Sequence, residues 1–128
     1  MTQSRKDALQ GLLDSVTAGD EARVSTRIRA MSSLYRDAGE YFPGYDMQKV
    51  YHGSLDAALA LHNAVLPGFE VSYLGQEDIG WTVSLARLGP QARGEVSHQT
   101  TPARAWLCAI LQALIAEFDA IKPPDPRR

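Results

Sequence analysis

The chain has 128 residues, of which 45% are hydrophobic and 22% are charged, and its formal net charge at pH 7 is −2. A chain of this length forms one domain and buries roughly two thirds of the surface that it exposes when unfolded. The small net charge and the pI near 5.9 exclude a basic footprint for nucleic acid over the whole molecule. The composition predicts a globular domain that folds without a disulfide or a metal.

No apolar run approaches the roughly 18 residues that a membrane-spanning helix needs, and the segment TQSRKDALQ after Met1 lacks the apolar part of a secretion signal. We therefore expect a cytoplasmic protein. Cys108 is the single cysteine, which excludes an internal disulfide and a multi-cysteine zinc site. Only Arg104 hints at the electropositive setting that activates a thiol, so we interpret Cys108 as an ordinary helical position.

Two helices are predicted before residue 40. Apolar residues recur at helical spacing from Ala8 to Val16, and this first helix ends at Gly19. Asp20 is a good N-cap for the second helix. The apolar stripe of the second helix consists of Val24, Ile28, Met31, Tyr35 and Ala38. The segment GEYFPGYDMQKVYHG then indicates a turn-rich connector whose aromatic side chains pack onto the core, so residues 1–50 are predicted to be an N-terminal helical arm with an aromatic connector.

A third helix is predicted between Ser54, a good N-cap, and the stop at Pro67-Gly68. Its buried face is expected to comprise Leu55, Ala58, Leu59, His62, Val65 and Leu66. The segments FEVSYL, WTVSLARL and ARGEVSH then alternate between apolar and polar residues, which predicts three antiparallel strands with one packed face and one wet face. The packed positions of the first two strands are expected to be Phe69, Val71, Tyr73, Trp81, Val83 and Leu85.

The last helix is predicted to start at Thr101-Pro102, because threonine accepts free amide hydrogens and proline at the first helical position loses no hydrogen bond. Its core stripe comprises Trp106, Leu107, Ile110, Leu114, Phe118 and Ile121. Leu111 and Ile115 widen the apolar arc beyond what one sheet contact needs. Residues 51–121 are thus predicted to be an α-β-β-β-α sandwich domain, and residues 122–128 a flexible tail.

The predicted fold class is therefore α+β: an N-terminal helical arm followed by an α-β-β-β-α layer with a three-stranded antiparallel sheet. The residues that carry chemistry elsewhere are scattered along it. His52, His62 and His98 lack the spacing of a metal site, and Glu77-Asp78 lacks the context of a calcium loop. No serine-nucleophile motif, Walker A motif or GxGxxG motif is present. We therefore predict no catalytic residue, no cofactor and no metal site.

Positive charge concentrates on the second helix. The predicted partner-binding residues are Arg23, Arg27, Arg29, Arg36, Leu111 and Ile115. Arg23 and Arg27 share a helix face at four-residue spacing. The arginines fit either a solvated face that is paired with local acids or a docking surface for an acidic partner, which is a protein or a nucleic acid. The two apolar residues of the last helix serve either a partner or self-association.

The segments GSLDAALALHNAVLPGFEV and TTPARAWLCAILQAL, with an aromatic-led strand from Trp81 between them, resemble small phage and prophage proteins of the phage α-β-α (ABA) sandwich domain family. The resemblance covers residues 51 to about 116, and family members usually carry tryptophan where this chain has Phe69. It implies a phage or prophage origin and supplies no catalytic residues. It gives structural roles to Ser54 as a cap, Leu59 and Leu66 as packing residues, Pro67-Gly68 as a turn, and Thr101-Pro102 as a helix start.

Three functions remain open. The leading hypothesis is a non-catalytic accessory protein that binds a host or phage protein complex, such as a host enzyme or a defence complex that it inhibits in the manner of an anti-CRISPR. The second is nucleic-acid binding through the first three arginines of the second helix, because α-β-β-β-α is also the element order of double-stranded RNA-binding domains. Those domains carry a lysine cluster where this chain offers only Arg104. The third is an enzyme or small-ligand protein that uses His62, Asn63 and His98.

Overall fold

The computed structural model describes residues 5–77, 80–87, 94–99 and 101–120, without the side chains of 77, 87, 94–98 and 118–120. These ranges contain helices and strands in the order α1 (Arg5–Ala18), α2 (Glu21–Asp37), α3 (Gly44–Tyr51), α4 (Leu55–Val65), β1 (Phe69–Glu77), β2 (Gly80–Arg87), β3 (Gly94–Gln99) and α5 (Pro102–Ala120). The predicted tail, residues 122–128, lies outside the described residues.

Side-chain caps begin three of the helices, as predicted. The side-chain oxygens of Asp20, Ser54 and Thr101 each accept a hydrogen bond from the backbone N–H of the residue three positions later. The nitrogen–oxygen distances are 3.2, 3.1 and 3.1 Å. Each cap gives a partner to one of the amides that has none inside its helix. The starts of α2, α4 and α5 are thus set by local residues.

The aromatic connector contains a helix, α3, that the sequence interpretation missed. Its buried residues are Gly44, Met47, Val50 and Tyr51. Gly44 allows α3 to begin directly against α2, because a Cβ at this position would lie 2.8 Å from Ser32 Oγ and 3.0 Å from Ile28 Cγ2. The proline and glycine of this segment therefore mark the start of a short helix and not a continuous loop. The aromatic side chains divide: Phe42 and Tyr51 are buried as predicted, whereas Tyr41 and Tyr45 are exposed.

Helix α5 is the centre of the fold. It packs against α1, α3 and α4 and against β2 and β3. Every residue from Ala105 to Leu111 is buried. Seven consecutive buried residues complete about two turns, so this part of the helix is enclosed on all sides. Enclosure explains the wide apolar arc, because a helix with neighbours all round needs apolar residues all round.

The N-terminal helices share this core. The buried residues of α1, α2, α3, α4, β1, β2 and α5 form one continuous cluster, which includes Leu12, Val24, Leu61, Val83 and Leu107. Helix α1 contacts both α2 and α5. The predicted division between residues 1–50 and 51–121 therefore does not separate two cores, because α1 packs directly on α5, and α2 packs on α1 and α3.

The antiparallel pairing of β1 with β2 contains a bulge that the alternation pattern does not reveal. Val71 pairs with Leu85 and Tyr73 with Ser84, so the register shifts at Ser72. Because one extra residue reverses the alternation, Leu74 and not Tyr73 lies opposite Val83. Val83 and Leu85 are fully buried as predicted. On β1, Phe69 is buried, but the expected burial of Val71 and Tyr73 is wrong, since both are exposed.

Helix α4 is rotated relative to its predicted orientation. Its buried residues are Ala57, Ala58, Leu61 and His62. Leu55 and Leu59, which were expected on the buried face, are exposed. Small alanines allow α4 to approach its neighbours closely and leave the two leucines beside the contact. The packing role that the family resemblance gives to Leu59 is therefore not the one seen.

The α+β class is confirmed, and the predicted arrangement within it is wrong. The described residues contain five helices and not four, and the helical arm is part of the core. Within the sheet, the structure describes side chains mainly for the two-stranded antiparallel pair β1–β2. For β3 the structure gives mainly the backbone register against β2. The physical reason is composition: GEVSHQ contains one large apolar residue, so its alternation of apolar and polar residues is too weak to predict a packed strand.

Candidate partner-binding surfaces

The four arginines of α2 do not form one patch. At about 100° per residue, Arg23 and Arg27 lie about 40° apart around the helix, and Arg29 and Arg36 lie about 20° apart. The two pairs are separated by about 120–180° around the same axis. Arg23, Arg29 and Arg36 are exposed, and Arg27 is half-buried. The predicted docking surface is thus divided between two sides of α2.

Arg23 and Arg27 share the groove between α1 and α2 with carboxylates. Arg23 Nε lies 3.5 Å from Asp20 Oδ2. The guanidinium of Arg27 lies over Gly11, where a Cβ would come within 2.9 Å of Nη1. A cavity of about 170 Å³ in this groove is also lined by Asp14. Because acids stand beside the two arginines, this side of α2 resembles the solvated, locally paired face that was the alternative interpretation.

Arg29 and Arg36 fold back on their own helix. Arg29 Nε reaches the carbonyl oxygen of Ser25 at 3.5 Å, and Arg36 Nη2 donates to Ser33 Oγ at 3.4 Å. Both contacts are long and exposed, so they orient the side chains only weakly. The two guanidiniums remain accessible to solvent on the side of α2 that faces away from α1.

Two of the residues predicted to bind a partner, Leu111 and Ile115, lie in or against the core of this chain. Leu111 has no solvent exposure, and Ile115 is partly buried against the core. The surfaces that cover them belong to this chain, because α5 is packed against α1 as well as the sheet. Their burial therefore requires neither a partner nor self-association.

His62 is a buried structural residue with both ring nitrogens in use. Trp106 Nε1–H donates to His62 Nδ1 at 3.2 Å, and His62 Nε2 lies 2.8 Å from the carbonyl oxygen of Phe69. A neutral imidazole with its hydrogen on Nε2 satisfies both contacts, since one nitrogen accepts and the other donates. The ring joins α4, the start of β1 and α5, so neither nitrogen is left to act as a base or a ligand.

The other reactive residue types are dispersed. His52 Nε2 lies 3.6 Å from Glu21 Oε1 at an exposed position, and the side chain of His98 lies outside the described part of the chain. Cys108 is fully buried, which denies its thiol access to solvent. Among the described residues, no three histidine, cysteine or acidic side chains come together in a group that could hold a metal ion.

Arg104 is held by Tyr51 and not by an acid that the structure describes. Its guanidinium lies 4.2 Å from the ring centroid of Tyr51, and Nη2 donates to the Tyr51 carbonyl oxygen at 3.3 Å. A cation over an aromatic face is stabilised by the ring quadrupole. The contact fixes the start of α5 to the end of α3, which gives Arg104 a structural role.

The structure reveals exposed apolar side chains that sequence reasoning missed. They are Tyr41, Tyr45, Leu55, Leu59, Val71, Tyr73 and Leu74. Leu59 is 51% exposed and Tyr73 is 46% exposed. Leu55 and Leu59 lie about 40° apart on α4. On β1, Val71 and Leu74 share one face of the strand, and Tyr73 lies on the other. Leu55 and Leu59 could have been noticed because apolar residues extend round most of α4, whereas the bulge in β1 leaves no such signal.

An apolar cavity lies where α4 ends against α5. It has a volume of about 330 Å³ and is lined by Val65, Leu66, Pro67, Gly68, Phe69, Leu114 and Glu117. The LPG stop and the aromatic residue after it, two features on which the family resemblance rests, form most of this lining. The cavity is therefore a product of the helix-to-strand turn.

The fold and these surfaces define an α+β protein with a fully enclosed central helix and with exposed apolar residues on α4 and β1. No helix within the described ranges has the length and apolar character needed to cross a membrane. No protein-family model, curated protein or solved structure matches the chain. The resemblance to the phage ABA sandwich family stays a prediction.

Proposed function

We propose that this chain is a non-catalytic accessory protein that acts by binding a macromolecular partner, which is a host or phage protein. The observation that carries the proposal is the grouping of exposed large apolar side chains, in a pair on α4 and a triplet on β1. Single exposed leucines are common on monomeric proteins, but groups of them mark interaction surfaces more often.

The exposed groups are a source of binding free energy. Burial of one leucine or valine side chain contributes roughly 1.5–3 kcal/mol. Leu55, Leu59, Val71 and Leu74 are already partly covered, so each offers a fraction of this contribution to a complex. Tyr41, Tyr45 and Tyr73 belong to a residue type that often anchors protein interfaces. A protein partner would use this surface better than a polyanion would.

The family resemblance supports a more specific form of the proposal. A phage or prophage origin places the protein in the cytoplasm of a bacterial host, where it inhibits a host enzyme or a defence complex in the manner of an anti-CRISPR. An inhibitor that acts by occupying a surface needs no catalytic group.

Co-purification from an infected or lysogenic host, with surface variants in parallel, tests the proposal. Proteins recovered with the tagged wild type should be lost with Leu55→Lys/Leu59→Lys or with Tyr73→Lys/Leu74→Lys. Ala60→Lys/Ala64→Lys adds the same charge at exposed positions of α4 away from Leu55 and Leu59 and is the matched control. Recovery of the same proteins by the wild type, both surface variants and the control would contradict the proposal.

Nucleic-acid binding through α2 is the second candidate. It is supported by a surface cavity of about 320 Å³ that is lined by Ala22, Arg23, Thr26 and Arg27. Two guanidiniums one helical turn apart suit phosphate groups, but Asp20 beside Arg23 reduces the local positive charge.

A further inference from the structure

Strand β1 is an edge strand. The strand order is β1-β2-β3, so β1 pairs with β2 on one side and with no strand of the described chain on the other. The outer side of an edge strand presents backbone N–H and C=O groups that can pair with another strand. An extended polypeptide is the ligand that matches such a row of alternating donors and acceptors.

Apolar side chains are exposed on both faces of this edge. Val71 and Leu74 pair with Leu85 and Val83, which places them on the face that α5 covers further along the sheet. They remain exposed because α5 packs on β2 and β3 and touches β1 only marginally. On the other face, the ring of Tyr73 lies over Gly75, where a Cβ would be 2.7 Å from Tyr73 Cζ. A strand added at this edge would cover all three side chains.

The edge lacks most of the features that prevent strand addition. Natural edge strands are often protected by lysine, proline or a bulge. The strand sequence FEVSYLGQE contains neither lysine, arginine nor proline. Its bulge lies between Val71 and Tyr73, and from Tyr73 to Glu77 the pairing with β2 is regular. The regular segment leaves several consecutive residues available for pairing on the outer side.

The charges of β1 select the added strand. Both charged residues of the strand, Glu70 and Glu77, are acidic. A second copy of β1 would bring two more carboxylates and no basic residue to the seam, whereas like charges opposite each other on adjacent strands are destabilising. A segment with lysine or arginine near its ends would place opposite charges there. Electrostatic complementarity of this kind determines which partner binds and how fast.

We propose that β1 binds an extended segment of the partner protein by strand addition, and that this segment alternates apolar residues with polar ones and carries lysine or arginine near its ends. The inference rests on the proposed function, because it names the surface and the partner chemistry for that function. Main-chain hydrogen bonds provide the contact, and Val71, Tyr73 and Leu74 provide apolar burial.

The test is selection from a displayed library of random peptides of the length of β1 on the immobilised full chain. Enriched peptides should alternate apolar residues and carry lysine or arginine. Tyr73→Lys/Leu74→Lys should weaken their binding at least about tenfold, which corresponds to about 1.4 kcal/mol. Ala60→Lys/Ala64→Lys should leave it unchanged. Synthetic copies of these peptides with N-methyl groups on alternate backbone nitrogens should bind in at most one of the two methylation patterns.

The proposal is overturned if no peptide is enriched or if the enriched peptides lack the pattern. It is also overturned if Tyr73→Lys/Leu74→Lys binds the peptides as well as the wild-type protein does, or if the peptides of both methylation patterns bind as well as the unmethylated peptides. Sedimentation gives a further test. If the wild type is a dimer and Tyr73→Lys/Leu74→Lys is a monomer, the edge of β1 binds a second copy of this chain, and the proposal is overturned. Loss of a co-purifying partner with Leu55→Lys/Leu59→Lys alone would contradict strand addition and leave the proposed function standing.

Discussion

The indole N–H of Trp106 and Nδ1 of His62 are joined by a hydrogen bond of 3.2 Å in the buried interior, between α5 and α4. His62 also contacts the Phe69 carbonyl oxygen through its other nitrogen. Replacement by an apolar residue would leave two buried polar groups without a partner, each at a cost of about 1–3 kcal/mol. We expect His62→Leu to lower the free energy of unfolding by at least about 2 kcal/mol, measured by urea denaturation. Unchanged or increased stability would contradict the assigned hydrogen bonds.

The same pair should show energetic coupling. Trp106→Phe removes the donor and leaves Nδ1 of His62 unsatisfied, so it also destabilises the fold. In the double variant His62→Leu/Trp106→Phe both partners of the hydrogen bond are removed, so neither is left unpaired. Its loss of unfolding free energy should be smaller than the sum of the losses in the two single variants. Additive losses in the double-mutant cycle would indicate that the contact contributes only packing. Asn63→Leu, at the next and exposed position, is the control and should change stability by less than about 0.5 kcal/mol.

Tyr35 makes a contribution to the stability of the folded state that is lost at alkaline pH. Burial raises the pKa of its hydroxyl above the ordinary value of 10.0, while Arg5 acts to lower it and Glu40 to raise it. The folded state therefore keeps this proton at a pH where the unfolded state loses it. The stabilisation is complete below about pH 10 and is lost as the pH rises through the folded pKa.

Denaturation curves at increasing pH test the effect of Tyr35. The stability difference between the wild type and Tyr35→Phe at pH 7 measures the loss of hydroxyl contacts and packing. We expect this difference to shift in favour of Tyr35→Phe above pH 10, because the phenylalanine has no proton to lose. A difference that stays constant from pH 7 to pH 11 would contradict the raised pKa.

Gly44 should resist substitution even though alanine favours helices. The absence of a side chain lets α3 start close to α2, because a Cβ at Gly44 would lie 2.8 Å from Ser32 Oγ. Overpacking of this kind costs about 1–3 kcal/mol, which exceeds the gain of about 1 kcal/mol in helix propensity. Thermal or urea denaturation should show Gly44→Ala to be destabilised and Gly44→Ala/Ser32→Gly to be partly restored. Gly68→Ala, with open space around its Cβ, is the matched control, and equal losses at both positions would exclude the clash.

Leu111 should behave as a core residue and not as part of an interface. Truncation of a fully buried leucine to alanine typically costs about 2–5 kcal/mol. We expect Leu111→Ala to lose stability in this range and to keep the sedimentation coefficient of the wild type. A change in oligomeric state without loss of stability would restore the original interpretation of this residue as an association surface.

The arginines of α2 can be tested as two pairs. Asp20 lies beside Arg23, so we expect only weak, non-specific binding of duplex RNA or DNA in gel shifts at physiological salt. Arg23→Glu/Arg27→Glu and Arg29→Glu/Arg36→Glu remove equal charge on different sides of the helix. A salt-dependent shift that the first variant abolishes and the second retains would favour nucleic-acid binding over the proposed function.

Features that depend on residues close in sequence were predictable. The caps at Asp20, Ser54 and Thr101 act over three positions, and the sequence contains all the information that they need. The central helix was also recognisable from its apolar content. Its environment was not, because whether Leu111 meets a partner or α1 depends on contacts between segments about 100 residues apart, which a single sequence does not display.

The missed surfaces have a similar explanation. Periodicity predicts which residues can share a face, but the choice between Leu59 and Leu61 as the buried residue of α4 depends on how closely neighbouring helices approach. In β1 one extra residue at Ser72 exchanges the positions of Tyr73 and Leu74, and bulges have no fixed sequence pattern. Both errors fell on residues that now form the candidate partner-binding surfaces.

The enclosure of α5 has a consequence for biosynthesis. The ribosome completes α1 through β3 before this helix emerges, so the earlier segments must wait with their apolar sides uncovered until α5 has been synthesised. A chain that stops before Pro102 has no central element around which to condense. We expect such a truncated polypeptide to be degraded or to aggregate in the cell.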